Sequence, residues 1–133
     1  GRMDKKDPIG IIVTHGGFAG ELIRTAEHII GRLPFCYAIS NEDLGDEALV
    51  GKIREIIEHE SPAFVFLFVD YFGSSCSLNC SRAVRGLGDA VVISGVNLPI
   101  LLDFATKRGT MEPEEIVSNL VKRGRESVKV IDI

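Results

Sequence analysis

Gly10-Ile11-Ile12-Val13-Thr14-His15-Gly16-Gly17-Phe18-Ala19-Gly20 is the stretch that decides the fold. The short apolar run from Ile9 to Thr14, bounded by turn residues, reads as a strand buried on both faces. Behind it, Ala19, Leu22, Ile23, Ala26, Ile29 and Ile30 recur at helical spacing, so an amphipathic helix follows over about Phe18 to Gly31. His15 then sits at the carboxyl end of a buried strand, in the turn before a helix. Open α/β sheets hold their ligands at that edge. The plain alternative is a surface histidine without chemistry. Gly16 and Gly17 favour the functional reading, because they would let backbone or a partner approach the ring.

Outward from this unit, strands and helices alternate. Phe35 to Ile39 reads as a second strand, and Asp46 to Glu60 as a helix with Leu49, Ile53, Ile56 and Ile57 facing inward. Gly51 weakens that helix slightly. Ala63 to Val69 has no polar alternation, which places it at the centre of a sheet. It ends at Asp70. A helix then runs to about Arg85, and Asp89 to Gly95 is a fourth strand. Asn97 is the expected cap of the next helix, with Pro99 in its first turn and its end near Gly109. Thr110 is the expected cap of a last helix, which carries Glu112, Glu114 and Glu115 early and Lys122, Arg123 and Arg125 late, as the helix dipole favours. Val128 to Ile133 reads as a final short strand. The alternation predicts an α/β, doubly wound, mainly parallel sheet in flavodoxin-like order, with right-handed crossovers.

The 133 residues suit a single domain over 3–133 with a real core. Gly1-Arg2 ahead of Met3 reads as a leftover of cloning. The apolar fraction is 45% and the charged fraction 26%, both ordinary for a globular chain. A net charge of −4 argues against a broad nucleic-acid surface. Ala63 to Val69 is far too short to span a bilayer, and no signal peptide is evident. The three cysteines, Cys36, Cys76 and Cys80, are too few and too uneven for a disulfide framework, and they point to a reducing cytoplasm. Cys76 and Cys80 share a helix face at a spacing of four. Only His15 stands out to join them, which is too few ligands for a metal site, so they read as small buried residues. No metal and no cofactor is expected.

Chemistry gathers at the strand ends. The first and third strands are the expected neighbours, with a switch point between them. Their carboxyl ends carry His15 and Asp70. A carboxylate beside an imidazole can hold one ring nitrogen as N–H and leave the other as a nucleophile. Asp70 as a plain turn or cap residue is the alternative. Thr14, Gly73, Ser74 and Ser75 offer hydroxyls and a helix start, which attract phosphoryl oxygens. Ordinary capping is the alternative for the serines. There is no Gly-x-x-x-x-Gly-Lys loop, no Gly-x-Gly-x-x-Gly after a strand and no Gly-x-Ser-x-Gly elbow. His28 and His59 fall on helix faces that look toward solvent. One histidine with a carboxylate and hydroxyls suits the acceptor of a mobile group better than a self-sufficient hydrolase.

Val13-Thr14-His15-Gly16, Leu67-Phe68-Val69-Asp70, Gly95-Val96-Asn97-Leu98-Pro99 and Gly124-Arg125-Glu126-Ser127-Val128-Lys129 together resemble the mannose/fructose-type enzyme IIA component of the bacterial phosphoenolpyruvate:sugar phosphotransferase system. The resemblance runs from Ile9 onward in the same order. It implies a cytoplasmic phosphocarrier that takes a phosphoryl group from HPr onto His15, at Nε2, with Asp70 orienting the ring. It also implies onward transfer to a IIB component, with the membrane reached only indirectly through IIC/IID components. Finally, it implies a homodimer that exchanges a C-terminal antiparallel strand. One departure stands out: the family usually has Gly-Gly-Ser-Pro where this chain reads Gly73-Ser74-Ser75-Cys76. The alternatives to sugar uptake are a regulatory phospho-acceptor reporting carbon status, and a carrier feeding dihydroxyacetone phosphorylation. The residues do not disclose the sugar.

Overall fold

The computed structural model describes residues 7–133. The expectations about Gly1-Arg2 and a domain start at Met3 lie outside the described residues.

Four parallel strands form one sheet: β1 (Ile9–Thr14), β2 (Cys36–Ser40), β3 (Val65–Val69) and β4 (Ala90–Ser94), in the order β2-β1-β3-β4. Gly10 pairs with Cys36 on one side of β1 and with Phe66 on the other, and Val69 pairs with Ser94 across β3 and β4. The chain reverses direction of travel across the sheet between β1 and β3, which makes that boundary the switch point. Five helices cover the faces: α1 (Phe18–Ile30), α2 (Asp46–Glu60), α3 (Ser75–Ala83), α4 (Leu98–Lys107) and α5 (Pro113–Glu126).

The central strands are buried on both faces, so their side chains alternate between two cores. Ile12, Phe66 and Phe68 pack with Ala19, Leu22 and Ala26 of α1, Leu101 and Phe104 of α4, and Ile116 and Leu120 of α5. Ile11, Val13, Leu67 and Val69 pack with Leu49, Val50 and Ile53 of α2 and Cys76, Cys80 and Ala83 of α3. Gly10 makes room for an aromatic ring: a Cβ there would lie 2.8 Å from Cε2 of Phe104. Gly51 is accommodated within α2 without breaking it.

Several expectations are corrected. Ile29 and Ile30 are 55% and 41% exposed, because α1 makes its core contacts through Ala26 and its last turn overruns them. The last helix is not capped by Thr110. That hydroxyl instead donates to the carbonyl of Lys107 at 2.9 Å, and α5 starts at Pro113 with Glu112 in the cap position. Proline is well suited there, since it has no N–H to leave unpaired. Val128 to Ile133 forms no strand in the single chain. A strand needs a neighbour for its backbone groups. The segment pairs with none, and Val128, Val130 and Ile131 are 83%, 93% and 81% exposed.

Among the described residues no helix is long and apolar enough to cross a membrane.

Candidate functional site at the strand ends

β1 and β3 end side by side, since Val13 pairs with Val69. The next residues along are therefore delivered to one place on the carboxyl edge of the sheet. The chain leaves β1 through His15 and turns at Gly16, whose φ of +56° is a left-handed conformation suited to glycine. The expected close approach at Gly17 is not needed within the chain: a Cβ there would meet nothing within 4 Å. Thr14 is fully buried, and its Oγ1 accepts from the backbone N–H of Ala19 at 2.8 Å. That contact ties the strand end to the first turn of α1.

Asp70 holds His15 twice. Its Oδ2 accepts from the His15 backbone N–H at 2.8 Å and lies 2.7 Å from Nδ1 of the same residue. Its Oδ1 accepts from the backbone N–H of Tyr71 at 2.9 Å. Burial pushes the Asp70 carboxyl pKa up, but the hydrogen bonds from the His15 backbone, the His15 side chain and the Tyr71 backbone, with the imidazole charge, reverse this and leave it below the ordinary value. The carboxylate is thus ionised near neutral pH and can only accept, so Nδ1 must carry the ring proton. In the neutral ring Nε2 is then the nitrogen that carries the lone pair. The His15 side chain is 45% exposed and that of Asp70 only 12%, so the ring faces solvent while its anchor is shielded. Tyr71 stacks on the imidazole, with ring centroids 5.6 Å apart and planes 25° off parallel. The arrangement is an oriented ring at an open surface, which is able to serve as a nucleophile.

The two serines sit differently. Ser74 is buried and caps α3, its Oγ accepting from the backbone N–H of Ser77 at 3.2 Å. Ser75 is exposed as the first residue of α3, and Gly73, with φ +83°, turns the chain into it. The start of α3 lies against the histidine: Sγ of Cys76 is 3.9 Å from Nδ1. Cys76 and Cys80 are both buried on α3, as small helix residues should be. Burial and the nearby Asp70 charge push the Cys76 thiol up to about 11. Sequence reasoning grouped Cys76 with Cys80 and missed its contact with the ring. The signal available was its position in the first turn of the helix that follows β3. His28 and His59 are exposed and apart from this site, as expected.

Residues 10–121 match the family described as PTS system fructose IIA component, EIIA-man. Over 127 residues the chain is 31% identical to the mannose-specific EIIAB component of Escherichia coli (strain K12), covering 91% of this chain and 38% of that protein. The chain therefore spans little more than a third of the length of that relative. It is 28% identical over 113 residues to the sorbose-specific EIIA component of Lacticaseibacillus casei, covering 84% of this chain and 82% of that protein. Among solved structures, the mannose/sorbose specific IIA subunit of the phosphotransferase system from Enterococcus faecalis superimposes with a TM-score of 0.84 at 24% identity, over 96% of each chain. That likeness is one of fold.

Proposed function

The chain belongs to the EIIA-man family of phosphotransferase-system components, and from that premise we propose that it is a phosphohistidine carrier whose acceptor atom is Nε2 of His15. The observation that carries the reading is Asp70 Oδ2 at 2.7 Å from Nδ1 of an exposed ring. Transfer between two histidines needs a neutral ring with one free lone pair and an in-line approach across two protein surfaces. Nε2 attacks phosphorus as the donor's N–P bond breaks. Nδ1 keeps its proton on Asp70 throughout, and the carboxylate balances the positive charge of the substituted ring. The donor is HPr and the next acceptor a IIB component, in the cytoplasm, with IIC/IID components as the route to the membrane. No cofactor enters the step.

The turn Gly73-Ser74-Ser75 and the first free N–H groups of α3 form the cradle for the phosphoryl oxygens. In this role Ser75 offers its hydroxyl and Ser74 shapes the helix start that it caps. Thr14 acts from below by holding the strand end to α1.

The working form is a homodimer in which Val128 to Ile133 of each copy pairs with the other. Two features support this. Among the described residues β4 is an edge strand that pairs only with β3. Beside it runs a groove whose lining includes Val91, Ile93, Val117 and Val121, with Val128 at the root of the tail on its rim. An apolar tail that is exposed in one chain and a groove that is open in the next are complementary, and exchange also covers the edge. Residues 3–133 act as one domain in this reading.

Incubation with phosphoenolpyruvate, enzyme I and HPr, followed by mass spectrometry, tests the carrier. One acid-labile phosphoryl group is expected on the chain and none on His15→Ala. Equal labelling of that variant overturns the assignment. The regulatory alternative uses the same chemistry, and adjacent genes for IIB and IIC/IID components distinguish transport from it.

A further inference from the structure

The departure at Cys76 puts a thiol where the ring is anchored. Nδ1 of His15, a carboxylate oxygen of Asp70 and Sγ of Cys76 all lie within 4.8 Å of one another. Nδ1 is 2.7 Å from Oδ2 and 3.9 Å from Sγ. Ligand atoms around a tetrahedral zinc ion, at about 2.0–2.3 Å from the metal, stand about 3.3–3.8 Å apart. The two distances to Nδ1, 2.7 and 3.9 Å, bracket that spacing. The ring is half-exposed, and an ion held by three side chains takes its fourth ligand from water. One thiolate and one carboxylate neutralise a divalent ion, and a sulfur with an imidazole selects zinc-class metals over magnesium or calcium.

We propose that His15, Asp70 and Cys76 form a site for a zinc-class divalent cation, and that filling it stops His15 from accepting a phosphoryl group. Coordination uses the lone pair of Nδ1, so the ring proton moves to Nε2. The thiol proton leaves to solvent, which releases one proton per ion bound. Nε2 then has no lone pair with which to attack phosphorus. Cys80 lies on the same helix but outside the trio. The inhibitory half rests on the carrier reading above, and the coordination half does not.

Cobalt(II) added to the reduced, intact chain tests the site. The expected result is a 1:1 thiolate-to-cobalt charge-transfer band, with one proton released and zinc competing for the site. The band should vanish in Cys76→Ser and persist in Cys80→Ser. Asp70→Asn keeps the thiol and should weaken binding by about 100-fold, at least the loss seen for outer-shell partners. Circular dichroism checks that each variant is folded. No band in the intact chain, or equal zinc affinity in folded Cys76→Ser, overturns the site. For the second half, purified phospho-HPr is offered with and without zinc. Phosphorylation should fall toward zero as the site fills and return with a chelator, whereas in Cys76→Ser the ratio of the two rates should stay at one. An unchanged rate at full occupancy overturns the inhibition. If phospho-HPr labels nothing even without zinc, the carrier reading and the inhibition fall together, while the cobalt band still decides the site.

Discussion

Oδ2 of Asp70 takes both the backbone N–H of His15, at 2.8 Å, and its ring Nδ1, at 2.7 Å. One oxygen thus locks the residue's main chain and its side chain together, across 55 positions of sequence. The ring cannot turn without losing a charged hydrogen bond. Asp70→Asn should keep the fold and slow phosphoryl transfer by about 10²–10⁴-fold, since an amide can present N–H to Nδ1 and favour the wrong tautomer. Rapid-quench transfer from phospho-HPr measures it, and wild-type kinetics would remove Asp70 from the mechanism.

The same contact makes stability depend on acid. The Asp70 carboxyl is lowered in the folded state, where the His15 and Tyr71 hydrogen bonds outweigh the upward push of burial. Its contribution is therefore fully present above the unfolded carboxyl value of about 3.9 and is lost as pH falls through the lower folded value. Urea melts of the wild type should weaken below about pH 4. In Asp70→Asn that part of the decline should be missing. Identical acid limbs in the two proteins contradict the linkage.

An anion should find the proposed cradle. Sulfate or phosphate soaked into crystals is expected between His15 and the turn 73–75, held by N–H groups of the first turn of α3. Density at good occupancy only elsewhere counts against that turn as the phosphoryl site.

Deleting Val128 to Ile133 should convert dimers to monomers, or leave protein that aggregates through the open edge of β4. Full burial of each exposed Val or Ile of the tail is worth roughly 1.5–3 kcal/mol, a large stake for a segment with no cover of its own. Light scattering of the intact chain decides it: a monomer mass at micromolar concentration sinks the dimer.

Gly10→Ala probes the core beneath the site. The new methyl would sit 2.8 Å from the Phe104 ring, which is fully buried and has Phe66 and Phe68 packed around it. Overpacking of this kind costs about 1–3 kcal/mol. Denaturant melts should show that loss with no change in slope. A neutral result means the Phe104 ring can shift.

What sequence alone determined was written in local pattern, although Thr110 shows that a local cap can be misread. β1 and α2 were legible to the residue, and the doubly wound order followed from alternation, because a strand buried on both faces has only a few ways to be covered. Asn97 was legible as a cap, its Oδ1 accepting from Ile100 N–H at 3.0 Å, because capping is a contact within one turn. His15 and Asp70 were candidates for the same reason: each ends a strand that its own neighbours specify.

Tertiary structure decided what depends on partners far along the chain. Whether Ile29 and Ile30 are covered depends on how far the sheet reaches under α1, which periodicity does not record. The tail has the composition of a strand, yet a strand exists only where another edge pairs with it, and within this chain the tail pairs with none of the described strands. Cys76 showed in sequence only that it follows β3 closely, not how near the imidazole it comes. Packing α3 against the ends of β1 and β3 brings Sγ to 3.9 Å from Nδ1 across 61 positions, because parallel pairing sets the two strand ends level and the helix start must follow the second of them.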